Sequence, residues 1–120
     1  MINSFRDLIV FQRSYKLSLE LHKVSLTFPK IEQFELASQI RRASKSIPVN
    51  IAEGYGKRTS AAEFKRFLTI AQGSCDELKV HLEYCKDLEY ISKELYDKYY
   101  SESEEISKML TSLTKNWKTY

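Results

Sequence analysis

Apolar residues recur every three or four positions along most of this chain, the period of one face of an α-helix. The pattern is sharpest at Leu36, Ile40, Ala43, Ile47 and Ile51, with Arg41, Arg42 and Lys45 on the flank of the stripe. One side of this predicted helix is therefore dry and the other basic. Pro48 falls inside the periodic stretch and removes a backbone hydrogen bond, which predicts a bend; the pattern continues past it, so the helix is read as one. Gly54 and Gly56 supply permissive backbone that is expected to end the helix, and Ser60-Ala61-Ala62-Glu63 starts the next with a capping box. Lys57 and Arg58 lie in the turn between them.

The same reading applied elsewhere predicts three further helices. Ser4-Phe5-Arg6-Asp7 has capping-box spacing and opens a first helix that ends at Phe28-Pro29. This helix carries two adjoining apolar stripes: Leu8, Phe11, Tyr15, Leu19 and Leu26, and beside them Val10, Leu17, Leu21, Val24 and Phe28. So wide a face implies either a central place in the bundle or cover from another subunit. Phe64, Phe67, Leu68, Ala71, Cys75, Leu78, Leu82, Cys85 and Leu88 make the cleanest stripe, in which Gly73 and Ser74 are small enough to admit a close neighbour. Ser92 is the N-cap of a last helix, with Ile91 and Tyr96 placed as a hydrophobic staple and Leu95, Tyr99, Ile106, Met109, Leu110, Leu113 and Trp117 on its apolar side.

The expected fold is all-α: an antiparallel up-down-up-down four-helix bundle in a single domain, residues 1–120, with helices at about 5–28, 32–53, 61–88 and 93–117. Three Gly and two Pro in 120 residues leave few turn signals for strands. No apolar run is long enough to cross a bilayer, and no secretion signal opens the chain, so a cytoplasmic location is expected. Cys75 and Cys85 are ten positions apart on one helix, about 15 Å along its axis, too far for an intrachain disulfide; they read as packed thiols rather than metal ligands.

Charge changes the picture more than composition does. The net charge of +3 hides a division: from Gln39 to Arg66 seven Lys or Arg face two acids, a net of +5, whereas Ser74 to Lys108 holds five Lys against ten acids, a net of −5. Some of this charge is expected to pair within the fold, Arg41 or Arg42 with Asp76 or Glu77. Catalytic patterns are missing. His22 and His81 stand on different helices without a nucleophile motif or the Arg-to-His spacing of bundle ribonucleases, no Glu-x-x-His occurs, and Gly54-Tyr55-Gly56 is not a phosphate loop. Asn50 and Glu53 read as local backbone or salt-bridge partners. No enzyme activity, metal or cofactor is expected.

Five segments carry a family resemblance: Phe5-Arg6-Asp7-Leu8-Ile9-Val10-Phe11-Gln12; Phe28-Pro29-x-x-Glu32-x-Phe34-x-Leu36; Gln39-Ile40-Arg41-Arg42-Ala43; Ser46-Ile47-Pro48-Val49-Asn50-Ile51-Ala52-Glu53-Gly54; and Glu63-Phe64-x-Arg66-Phe67-Leu68-x-Ile70-Ala71-x-Gly73-Ser74-x-x-Glu77-Leu78. Together they resemble the bundle proteins encoded in intervening sequences of bacterial 23S ribosomal RNA genes and, more distantly, the accessory variability determinant of diversity-generating retroelements. From Ser92 onward the pattern departs into a generic acidic helix. The resemblance implies a homopentamer with a basic surface and, for the accessory relatives, binding to a reverse transcriptase and nucleic acid. The expected function is non-catalytic RNA or nucleic-acid binding by an oligomer. Arg41, Arg42, Lys45, Lys57, Arg58, Lys65 and Arg66 are its expected phosphate contacts, and Tyr55 is either a base-stacking residue or a packed aromatic. The alternatives are a scaffold docking an acidic protein and, behind it, a nuclease or hydrolase.

Overall fold

In the computed structural model, which describes residues 2–117, four helices pack in chain order as an up-down four-helix bundle. They are α1 (Ile9–Ser25), α2 (Leu36–Gly56), α3 (Ala61–Asp87) and α4 (Lys93–Asn116). Met1 and residues 118–120 of the expected 1–120 unit lie outside the described residues. The rod measures 50 × 23 × 21 Å. Its centre is one apolar cluster that includes Leu17 and Leu21 of α1, Ile40, Ile47 and Ile51 of α2, Phe64, Leu68, Leu78 and Leu82 of α3, and Ile106 and Leu110 of α4. These are the periodic positions of each helix, and their removal from water is the main favourable contribution to folding.

Helix α1 begins later than its capping box suggests. The Ser4–Asp7 pair does form: the Asp7 carboxylate accepts from the backbone N–H groups of Asn3 and Ser4, which hold its carboxyl below the usual range, and Ser4 Oγ accepts from the Arg6 amide. These bonds close a single 3-10 turn, Phe5–Asp7, after which Leu8 is extended and buried, so α1 starts at Ile9. At its other end α1 gives way after Ser25 to turn-like bonds, and the Gln33 amide donates to the carbonyls of Ser25 (2.9 Å) and Phe28 (3.0 Å). A second 3-10 turn, Lys30–Glu32, fills what was expected to be the start of α2.

Two glycine expectations are corrected. Helix α2 does not stop at Gly54 but continues to Gly56, with Pro48 buried inside it. Gly54 is on the buried stripe: a Cβ there would stand 2.7 Å from Phe67 Cβ and 3.0 Å from Phe64 Cδ1, so glycine lets α2 and α3 approach closely. Gly73, by contrast, has open space where its side chain would be. The close approach near it is made by Ser74, whose hydroxyl meets that of Ser46 at 2.8 Å.

Helix α3 keeps half of its expected capping box. Ser60 Oγ accepts from the Glu63 N–H, while the Glu63 carboxylate turns to Arg66 instead of reaching back. Its C-terminus is a Schellman motif in which the Tyr90 N–H reaches the Cys85 carbonyl (2.8 Å) and the Glu89 N–H that of Lys86 (3.0 Å). Glu89 occupies the left-handed position, φ 64°, where glycine is usual. Ser92 caps α4 through the Leu95 N–H, and Ile91 and Tyr96 both lie in or against the core as the staple predicts.

Of the two α1 stripes, the one with Val10, Leu17 and Leu21 enters the core; Tyr15, Leu19 and Leu26 remain at the surface. Helices α1 and α4 meet least closely, bridged by Arg13, whose Nε donates to Glu102 at 2.9 Å.

Candidate nucleic-acid interface

The expected phosphate contacts separate into two groups along α2. Arg42 and Lys57 are fifteen residues apart, about 22 Å along the helix axis, so Arg41, Arg42 and Lys45 lie in the first half of α2 while Lys57 and Arg58 sit beyond its end. Lys65 and Arg66, in the first two turns of α3, are brought to the same corner as Lys57 and Arg58 by the short α2–α3 connection.

At that corner the cations cover the aromatic residues that close the bundle. The Arg58 guanidinium lies 4.1 Å from the Tyr55 ring centroid and donates to the Tyr55 carbonyl at 3.0 Å. Arg66 lies 4.6 Å from the Phe67 ring centroid, and the Lys57 ammonium 6.0 Å from the same ring. Each ring face attracts a cation through its quadrupole, so the side chains are held against the bundle while their charges face water. Arg66 also binds the Glu63 carboxylate at 3.1 Å, and Arg66 first, then Lys57, holds that carboxyl below its ordinary range. Lys57, Arg58 and Arg66 are exposed and Lys65 is half-buried.

Tyr55 is buried, edge-on to Phe64 at 6.3 Å and beneath Arg58. It is the packed aromatic of the two readings, without an open ring face for a base. The sequence held the signal: Gly54 and Tyr55 continue the Ile47, Ile51 register, which places both on the buried stripe.

The other group is partly engaged within the fold. Arg41 donates to Ser25 Oγ (2.8 Å), to the Gln33 carbonyl (2.8 Å) and to Gln33 Oε1 (3.4 Å), tying α2 to the end of α1 and the connection between them. Arg42 is exposed and reaches Glu77 at 3.9 Å, one of the pairings anticipated from charge. Lys45 Nζ contacts His22 Nδ1 at 3.1 Å and is otherwise exposed.

The remaining chemistry is structural. Cys75 and Cys85 are buried free thiols, each pushed up to about 12 by burial and so kept protonated at neutral pH. His81 pairs with Glu77 at 3.0 Å, and Asn50 donates to the Ser46 carbonyl at 2.8 Å. Among the described residues no group of three or more His, Cys, Asp or Glu could hold a metal ion, and no helix is long and apolar enough to cross a membrane.

With this geometry in place, residues 6–112 match the family model described as 23S rRNA-intervening sequence protein. The chain belongs to that family. The match to the intervening-sequence family extends through most of α4, beyond the five segments that carry the resemblance. A crystal structure of a protein with unknown function from the S23 ribosomal protein family of Bacteroides thetaiotaomicron VPI-5482 superposes with a TM-score of 0.79 at 30% identity, covering 90% of this chain and 100% of that one. No curated protein matches.

Proposed function

We propose that this intervening-sequence family member is a non-catalytic, homo-oligomeric RNA-binding protein of the cytosol, expected as a pentamer, that holds phosphates with the α2–α3 corner. The observation that supports the reading is the convergence of Lys57, Arg58, Lys65 and Arg66 on one short turn, where Lys57 and Arg66 share the ring of Phe67. A single corner of this size is a weak anion site. Repeated around an oligomer it becomes a concentrated cationic surface, and each phosphate it neutralises releases counterions. Arg42 and Lys45 extend the surface along α2; in this reading Arg41 and Tyr55 belong to the fold.

The test is RNA binding titrated against salt for the parent and a Lys57→Ala, Arg58→Ala, Lys65→Ala, Arg66→Ala variant. The expected result is a fall in affinity on the order of a hundredfold and a shallower salt dependence, by roughly 0.7 per lost contact to a single strand. A variant that holds RNA as tightly as the parent overturns the assignment. If the parent retains no RNA but captures an acidic protein through the same corner, the scaffold reading replaces this one. RNA cut by the pure protein, with or without a divalent metal, makes it a nuclease.

A further inference from the structure

Where α1 and α4 meet least closely they leave a cleft of about 400 Å³, bounded by an ion pair at each end. At one end the Arg13 Nε donates to Glu102 at 2.9 Å; at the other Lys98 Nζ stands 4.0 Å from Glu20. The middle is lined by Lys16 and Leu17, which lie between Arg13 and Glu20 on α1, and by Tyr99, which lies between Lys98 and Glu102 on α4. Arg13, Leu17 and Glu20 follow the i, i+4, i+7 spacing of one face of α1, a different face from the Tyr15, Leu19 and Leu26 stripe.

Two polar groups in the middle of the cleft have no partner. Tyr99 is only 4% exposed, yet its hydroxyl makes no hydrogen bond among the described residues and is not sealed from solvent. Burial first, and the Glu20 carboxylate second, push this phenol above its ordinary range, so at neutral pH it stays protonated and can donate. Lys16 is exposed and takes part in no ion pair among the described residues. The two end pairs also differ. Arg13 is fixed on Glu102 through two of its nitrogens, whereas 4.0 Å is too long for a hydrogen bond between Lys98 and Glu20. Lys98 and Glu20 can therefore each serve another group, and the Lys98 ammonium already lies 5.5 Å from the Tyr99 ring centroid. With Arg13 and Glu102 neutralising each other, the cleft offers two ammonium groups and a hydroxyl donor against one carboxylate.

We propose that the α1–α4 cleft binds a small hydroxylated oxyanion, its anionic oxygens accepting from the Tyr99 hydroxyl and the Lys16 and Lys98 ammonium groups and its own hydroxyl donating to Glu20. Polyol phosphates and hydroxy acids share this chemistry. Charge-assisted hydrogen bonds to an oxyanion are the strong ones, and a cleft of this volume is within the usual size of a small-ligand site. The ligand gives the unpartnered donors an acceptor, and it bridges the two helices that hold each other least. Because it binds only the folded chain, it also stabilises the bundle by mass action. The site is separate from the basic corner and does not depend on the RNA reading.

The experiment is calorimetric titration of the full chain with glycerol 3-phosphate, lactate and inorganic phosphate, with circular dichroism as the folding control. Glycerol 3-phosphate or lactate is expected to bind at one site per chain, and the tighter of the two tells whether the site suits polyol phosphates or hydroxy acids. Tyr99→Phe, which keeps the ring and removes only the hydroxyl, and Lys16→Met are each expected to weaken that binding ~tenfold. Glycerol 3-phosphate is expected to bind more tightly than inorganic phosphate, and Glu20→Ala to bring the two level. The variant without the cations of Lys57, Arg58, Lys65 and Arg66 is expected to bind as the parent does. No binding of either hydroxylated probe at millimolar concentration, an unchanged affinity in Tyr99→Phe or in Lys16→Met, or a preference for glycerol 3-phosphate that survives Glu20→Ala overturns the assignment. Binding lost in the corner variant puts the anion at the corner, which overturns the cleft site and leaves the RNA reading standing.

Discussion

At the α2–α3 end of the rod Phe67 lies beneath Arg66 and Lys57, and Tyr55 beneath Arg58, so the aromatic residues are closed off and charge is what faces outward. At the opposite end the α1–α2 connection leaves Phe34 and Ile31 uncovered, and Arg41 of α2 is turned onto Ser25 and Gln33. The same residue types thus have reversed roles. At the α2–α3 corner cations cover the rings; beside the α1–α2 connection Arg41 secures the backbone and Phe34 and Ile31 stay exposed, while Lys86 covers the Tyr96 ring at that same end. A surface of solvated cations suits a hydrated polyanion, whereas an apolar surface rimmed by carboxylates suits protein.

The largest effect that would break this contrast is at the basic corner. Gly54→Val puts a branched side chain where even a Cβ stands 2.7 Å from Phe67, and separating α2 from α3 is expected to cost about 3 kcal/mol, read by urea unfolding. RNA affinity should fall with it, since the turn that gathers the cations is displaced.

At the other end Arg41→Met removes the donors to Gln33 and Ser25 and is expected to cost about 2 kcal/mol by thermal or urea unfolding. Measured on the folded protein, its RNA affinity should remain within about twofold of the parent's, because the contacts of Arg41 are internal. Loss of affinity as large as at the corner would return Arg41 to the binding surface. The smallest effect is a gain: Glu89→Gly relieves a left-handed φ of 64° at the Schellman position and is expected to stabilise the fold by about 1 kcal/mol without altering RNA binding.

Much of the core was legible before the tertiary structure, because a helix buries residues at its own period. The α3 stripe from Phe64 to Cys85 is buried where spacing places it, and Ser60 and Ser92 cap the helices they precede. Gly54 misled because glycine is both a helix terminator and a residue that admits a neighbouring helix; continuing the Ile47, Ile51 register would have chosen the second. The Ser4 box misled because the same bonds stabilise a single turn as well as a long helix. Lys57, Arg58, Lys65 and Arg66 were legible as a group since few residues separate them. Their seats on Tyr55 and Phe67 were not, because a cation over a ring leaves no periodic trace.

Four amphipathic helices, the Ser60 and Ser92 caps of the last two and the division of charge along the chain follow from the sequence alone. All of these depend on neighbours within a few residues. The tertiary packing alone settles which part of the wide α1 face is inside: the Val10, Leu17, Leu21 stripe together with Leu8 and Phe11 of the other, while Tyr15, Leu19 and Leu26 stay outside, because the choice depends on where α2 and α4 pack. It also decided that Arg41 serves the fold, because Ser25 and Gln33, sixteen and eight residues away, reach it only when the chain has turned back on itself.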